Sequence, residues 1–391
     1  MINFELHTPT RVIFGKDTQL EAGRIIKEYG FNKVFLYYGG QSCIKSGLMA
    51  QIKKTLQENG VSFSEKGGVQ PNPTLGFCRE TADYIKREGF DFILVVGGGS
   101  ALDSAKIAAH SVATGADPWD IVTKKAPVTA TMPFGVVLTI AAAGSETSDS
   151  AVLSDETTGT KRGLGTPFNR PLFAIMNPEL TYTVPPYQTA AGIVDIMMHT
   201  LERYLAQNEN NDLADRLAEG LVKSVIGAGR IVMENPRDYE ARATLMWAGS
   251  LSHNGLMGAG KKYGMNAHQL EHEMSGLDEK ITHGAGLAVV WPAYLTYLSR
   301  YNLKRLVQYA VRIWNCEEDF EHPERTVRAG IEATKAYFKS LGMPLSLADV
   351  GIGEDKIEFM AEKCTFFGER KLQSFIELGK EEIAEIYRLC L

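Results

Sequence analysis

Two stretches of the chain are apolar at nearly every position. Lys33-Val34-Phe35-Leu36-Tyr37-Tyr38 runs into Gly39-Gly40, and Phe92-Ile93-Leu94-Val95-Val96 runs into Gly97-Gly98-Gly99-Ser100. Continuous runs of this length, without polar alternation, suit strands covered on both faces. Between them, stretches at about 48–58 and 74–88 repeat their apolar residues at helical spacing, and Val61-Ser62-Phe63 reads as another strand. Gly135-Val136-Val137-Leu138-Thr139 and Leu172-Phe173-Ala174-Ile175-Met176 extend the series. Alternating strands and helices predict a parallel sheet.

The texture changes at Pro185-Pro186. Beyond it, long helical patterns are broken by Gly, Asn or Pro, at roughly 187–206, 211–233, 238–258, 264–275, 284–298, 302–314 and 324–341. The tail from about 355 to 390 also reads helical. This predicts an α/β, Rossmann-like domain over 1–185 and an all-helical domain over 186–391. The opening Asn3-Phe4-Glu5-Leu6, with Arg11-Val12-Ile13-Phe14, suggests an exposed hairpin or a strand that pairs with another subunit.

Composition narrows the classes. A 391-residue chain is long for one core, which agrees with two domains. A net charge of −6 provides no basic field for nucleic acid and no polybasic membrane patch. The five cysteines form no C-x-x-C pair, which argues against a disulfide framework and for a reducing compartment. No signal-like start and no membrane-length apolar run is visible, so a cytoplasmic location is expected.

Three strand exits could carry chemistry. Gly97-Gly98-Gly99-Ser100 follows a buried strand and opens a helix, where bare backbone and free N–H donors favour a phosphate. A tight strand-to-helix turn would have the same sequence, and the G-x-G-x-x-G pattern is absent. Ser100 and Asp103 have the spacing of a capping box. Gly39-Gly40-Gln41-Ser42 lacks the carboxylate that would bind ribose hydroxyls and repel a 2′-phosphate. Thr139 through Glu146 form a small, polar third exit that could line the same cleft.

Metal-ligand residues gather in the second half. Asp195 and His199 are four apart, as are His268 and His272, and His283 follows. On a helix, i and i+4 share a face, so each pair could grip one ion. Carboxylate plus imidazole suits Fe2+, Zn2+, Ni2+, Co2+ or Mn2+. Spacing leaves five candidates for four positions, and each residue alone also has a purely structural reading.

At these residues the chain resembles the group III, iron-dependent alcohol dehydrogenases, in the butanol dehydrogenase and broad aldehyde reductase branch. The resemblance spans essentially the whole chain, from Phe4–Gly15 through Pro71-Asn72-Pro73, Gly97–Lys106 and Gly144-Ser145-Glu146 to the Asp195 and His268 segments. It implies the dehydroquinate synthase-like fold, with the active site between the two domains. It implies Asp195, His199, His268 and His283 as metal ligands, leaving His272 near the nicotinamide and substrate as a proton relay. Gly97, Gly98, Gly99 and Ser100 would hold the pyrophosphate, and Gly39, Gly40, Gln41, Ser42, Asn72, Asp103, Thr139, Ser145, Lys161, Thr181 and Thr183 would complete the cofactor cleft. Thr282 stands where the family often has Pro before the last ligand.

The expected activity is reversible hydride transfer between NAD(P)H and a small aliphatic aldehyde, with Fe2+ preferred over Zn2+ or Ni2+ and NADP(H) slightly preferred over NAD(H). A homodimer is also expected. The rivals are a glycerol or polyol dehydrogenase and a metal-dependent lyase of the dehydroquinate synthase type. The lyase would need basic residues around the metal segments for an anionic substrate. Only Lys261, Lys262 and Lys280 lie nearby in sequence.

Overall fold

The computed structural model describes every residue except Glu209. The chain folds into two compact units. One comprises His7–Val184 with Arg237–Asn254; the other comprises Met1–Leu6, Pro185–Pro236 and Gly255–Leu391.

The first unit is built on a parallel sheet. Its elements are β1 (Arg11–Phe14), α1 (Ala22–Glu28), β2 (Lys33–Tyr38), the short α2 (Ser42–Lys45), α3 (Leu48–Glu58), β3 (Ser62–Lys66), α4 (Leu75–Glu88), β4 (Phe92–Gly97), α5 (Gly99–Thr114), α6 (Pro118–Val122), β5 (Phe134–Leu138), β6 (Ser150–Asp155), β7 (Thr160–Gly165) and β8 (Phe173–Met176). Six strands pair in the order β1-β8-β5-β4-β2-β3, and every pairing is parallel. The continuous apolar runs explain themselves here. Val34, Leu36, Leu94 and Val96 join a core with α1 and α3 on one face. Phe35, Tyr37, Ile93 and Val95 join a second core with Leu102 and Ala105 of α5 on the other.

Two expectations change in this unit. Arg11–Phe14 is not part of an exposed hairpin; it pairs in parallel with β8 at the sheet edge. A β6–β7 hairpin, unforeseen in the sequence, pairs antiparallel from Ser150↔Gly165 to Asp155↔Thr160. Its β6 alternates buried and half-buried positions, with Ala151 and Leu153 turned inward. The turn sequence Glu156-Thr157-Thr158-Gly159 was the one hairpin signal in the sequence, since Ala151-Val152-Leu153 do not alternate in polarity.

The second unit is helical. It contains α7 (Pro186–Tyr204) and α8 (Asp212–Glu234) before an excursion into the sheet unit as α9 (Tyr239–His253). It resumes with α10 (Asn266–Leu277), α11 (His283–Leu298), α12 (Leu303–Trp314), α13 (Pro323–Ser340), α14 (Ile357–Cys364), a hairpin of β9 (Leu372–Gln373) and β10 (Glu377–Leu378), and α15 (Lys380–Arg388). The tail is therefore not continuously helical. Phe366, Phe367 and Gly368 take positive φ in succession, which no helix can continue.

The expected division at 185 placed 1–185 and 186–391 apart; Met1–Leu6 and Arg237–Asn254 lie on the other side of it. For α9 the reason is packing. Met246 fills the apolar core under Val95, Val136 and Met176, and the Ser250 hydroxyl donates to the buried Glu146 carboxylate.

Candidate active site

In the helical unit, α7 presents Asp195, His199 and Glu202 at i, i+4 and i+7, so all three share one face. α10 presents His268, Glu271 and His272, and α11 begins at His283. These helices approach closely because small residues line the contact. A Cβ on Gly284 would sit 2.0 Å from the Ala191 carbonyl oxygen of α7, and one on Gly286 would sit 2.7 Å from Glu271 Cγ. Thr282, where proline was expected, is the N-cap of α11 with φ −66°. That is the value a proline ring would fix, so the exchange leaves the entry angle of His283 intact.

Three imidazoles converge on Asp195 Oδ1. His199 Nδ1 lies 3.3 Å away, His268 Nε2 3.6 Å and His283 Nε2 3.8 Å. Donors around a tetrahedral ion bonded at 2.0–2.1 Å are separated by about 3.4 Å, so this spacing fits a first-row divalent metal. Asp195 Oδ1 and His268 Nε2 are buried and find no hydrogen-bond partner among the described residues. Buried polar atoms normally have partners, and a cation between them would supply one. Asp195, His199 and His268 form the tight, buried group. His283 is about a quarter exposed at its side chain. His272 groups instead with Glu271 and His283, its ring 5.5 Å from that of His283.

Two carboxylates that sequence reasoning did not select complete the cluster. Glu202 and Glu271, both buried, contact His268 Nδ1 and His283 Nδ1. Glu202 also accepts from the backbone N–H groups of Ala267 at 2.6 Å and His268 at 3.3 Å, so it caps α10 from α7. Burial pulls the His268 imidazole down, but Glu202 and Asp195 together raise it to about 9. The available signal was helical: each carboxylate stands one turn, i+3, beyond a candidate histidine (His199 and His268).

In the sheet unit, β2 leads through α3 to β3 at one edge, whereas β4 leads through α5 to β5 on the other side. Between β2 and β4 the connections diverge, and crevices at such switch points are where open α/β sheets bind ligands. Both glycine turns, Gly39–Ser42 and Gly97–Ser100, end these two strands. None of Gly97, Gly98 and Gly99 has a positive φ. Their lack of a side chain serves close approach instead: a Cβ on Gly98 would meet Ile140 Cγ2 at 2.3 Å.

The capping box expected at Ser100 is not formed. α5 starts two residues earlier, at a Gly98 N-cap without side-chain capping. Asp103 instead accepts from Ser145 Oγ at 2.7 Å and from the Val152 N–H at 3.0 Å. Lys106, fully buried, donates to Ser145 O, Ser145 Oγ and Ser150 O at 2.7–2.8 Å. Burial lowers the Lys106 ammonium to about 8 and raises the Asp103 carboxyl. The segment from Ser145 to Val152 is thus pinned to α5 by Asp103 and Lys106.

The other candidates lie on separate elements of the sheet unit. The Thr139 N–H donates to Gly97 O at 3.1 Å, which ties the third strand exit to the glycine turn. Lys161 donates to Asn72 Oδ1 at 3.0 Å. Thr181 turns its hydroxyl to the Pro178 carbonyl, and Thr183 is exposed. No helix among the described residues is long and apolar enough to cross a membrane.

A parallel α/β sheet with glycine turns at its switch point, carried by one chain with a buried carboxylate–imidazole cluster on three helices, suits an enzyme that uses a nucleotide and a metal. Comparison with known proteins agrees. Residues 9–178 match the iron-containing alcohol dehydrogenase model, and residues 189–391 match the C-terminal model of the Fe-containing alcohol dehydrogenase family. NADH-dependent butanol dehydrogenase A of Clostridium acetobutylicum is 38% identical over 99% of both chains. The NADPH-dependent aldehyde reductase YqhD of Escherichia coli is 36% identical over 99% of both. The crystal structure of NADH-dependent butanol dehydrogenase A from Thermotoga maritima superposes with a TM-score of 0.96 at 35% identity, covering 100% of this chain and 99% of that one. The chain belongs to the iron-containing alcohol dehydrogenase family. It is an enzyme that interconverts alcohols and aldehydes with a nicotinamide cofactor and a metal.

Proposed function

We propose that this protein reduces small aliphatic aldehydes such as butanal to primary alcohols, reversibly, with Fe2+ as the metal and Zn2+ or Ni2+ as alternatives. The observation that carries the reading is the convergence of His199, His268 and His283 on Asp195 Oδ1, at 3.3–3.8 Å. A divalent ion held there supplies Lewis acidity toward a carbonyl oxygen, and a reduced nicotinamide supplies the hydride. Asp195, His199, His268 and His283 hold the ion. His272, half-buried beside His283, carries the proton to and from the product oxygen.

Gly97–Ser100 hold the pyrophosphate at the uncapped start of α5, with Asn72, Lys161, Thr139, Thr181, Thr183 and the Asp103–Ser145 pair completing the cofactor site. Gly39, Gly40, Gln41 and Ser42 take the adenine ribose, and with no carboxylate there a 2′-phosphate meets no repulsion. That favours NADP(H) over NAD(H); the relatives named above include users of each. The protein works as a cytoplasmic homodimer. Ile2, Phe4 and Leu6, exposed and at alternate positions, suit a strand face covered by a second copy.

The test pairs metal analysis of anaerobically purified protein with NADPH and NADH kinetics on butanal. Metal-dependent net consumption of reduced cofactor is expected, with bound metal absent from Asp195→Ala. Turnover without net consumption, or full activity in metal-free protein, would overturn the reading.

A further inference from the structure

We infer that Glu202 and Glu271 are positioning residues of the metal centre, which set the orientation and tautomer of two of its imidazoles. The inference rests on the ligand set proposed above. Each carboxylate contacts the Nδ1 of one histidine whose Nε2 faces Asp195. Hydrogen bonding to a carboxylate keeps the proton on Nδ1 and leaves the Nε2 lone pair for a cation. It also fixes the ring plane, because both carboxylates are themselves buried on packed helices.

The two are built differently. Glu202 comes from α7, the helix that carries Asp195 and His199, and its oxygens also take backbone N–H groups at the start of α10. One side chain thereby fixes the helix bearing His268 and the His268 ring together. Glu271 lies on α10 and reaches His283 at the start of α11. Its space is reserved by Gly286, where a Cβ would stand 2.7 Å from Glu271 Cγ and 3.2 Å from Oε1. A three-histidine, one-carboxylate set leaves a divalent ion with a net charge of about +1. Counting Glu202 and Glu271, the carboxylates outnumber the charges on the ion. That surplus of negative charge favours tight retention of a cation.

The test uses the full chain, stripped of metal and titrated with Co2+, read by calorimetry and by the visible d–d bands. Glu271→Gln keeps shape and an acceptor but removes charge; Glu271→Ala removes both. Expected Co2+ affinity falls about 10–100-fold, more for Ala than for Gln, with d–d bands displaced and the metal-free thermal midpoint little changed in Glu271→Gln. Gly286→Ala, which displaces Glu271 without touching its chemistry, is expected to weaken Co2+ binding in the same direction. Glu202→Gln adds the second arm, since its capping role makes Glu202→Ala prone to misfold. Unchanged Co2+ affinity and unchanged bands in Glu271→Gln, Glu271→Ala and Gly286→Ala would overturn the inference while leaving the ligand set standing. Wild-type protein that binds Co2+ no better than Asp195→Ala would overturn both.

Discussion

Replacing Gly284 with alanine tests whether helix contact distance, more than ligand identity, holds the metal centre together. The added Cβ would stand 2.0 Å from the Ala191 carbonyl oxygen, where ordinary contact begins near 3.4 Å. Both are helical backbone, so neither yields by a rotamer change. Relief requires α11 to move from α7 by about 1.4 Å. His283, the first residue of α11, would travel with it, stretching its 3.8 Å approach to Asp195 toward about 5 Å. Metal bonds tolerate only ~0.2 Å, so on the proposed ligand set His283 would no longer reach the ion. Overpacking of this kind costs roughly 1–3 kcal/mol, against a gain of about 0.5–1 kcal/mol from replacing helical glycine. Gly227→Ala on α8 is the control, because its Cβ meets nothing within 4 Å and should stabilise. The assays are metal stoichiometry by mass spectrometry and the thermal midpoint of metal-free protein. Wild-type metal content and an unlowered midpoint in Gly284→Ala would refute the reasoning.

Three further outcomes are expected. His110 is buried between Thr131 and Asn169, and burial lowers its pKa from 6.5 to about 4. The unfolded chain then takes up the proton first as pH falls, so this stability is complete above about pH 6.5 and is lost toward pH 4, by roughly 3 kcal/mol in all; His110→Gln should flatten the midpoint-versus-pH curve in that window, and an unchanged slope would count against it. Arg305 binds Asp215 with both Nη atoms at 2.6–2.7 Å, beside Lys261 Nζ at 2.7 Å, all buried; Arg305→Met should cost on the order of 3–5 kcal/mol in denaturant titration, and a loss under 1 kcal/mol would mean the network relaxes or hydrates. Gly98→Ala should weaken NADPH binding about tenfold or more by fluorescence titration as its Cβ drives Ile140 away from 2.3 Å, and Ile140→Ala added to it should restore affinity; no recovery would place the defect elsewhere.

Much of the scaffold was legible in the linear pattern because the relevant signals are local. Val34 to Tyr38 and Phe92 to Val96 state their burial on both faces without reference to any partner. Asp195 and His199 share a helix face through 3.6-residue geometry alone. The β6–β7 hairpin was missed because Ala151-Val152-Leu153 do not alternate in polarity and Ser, Thr and Gly dilute the apolar signal in both strands. The break in the C-terminal tail was missed because it depends on positive φ at two phenylalanines, a conformation no propensity assigns to them.

Choice among the five metal candidates was beyond spacing. His272 and His283 are equally plausible in sequence, and the choice depends on how α10 and α11 pack against α7. That packing is decided by Gly284 against Ala191 and Gly286 against Glu271, contacts between residues on different helices. Glu202 and Glu271 looked like ordinary helical acids until the fold brought an imidazole to each. Likewise Asp103 read as a cap and proved to be an anchor for Ser145 and Val152. The chain's own order of apolar and polar residues determined its strands, helices and the faces they bury. Only tertiary structure decided which buried acids and bases meet, because nothing in a helix's period specifies the neighbour it will pack against.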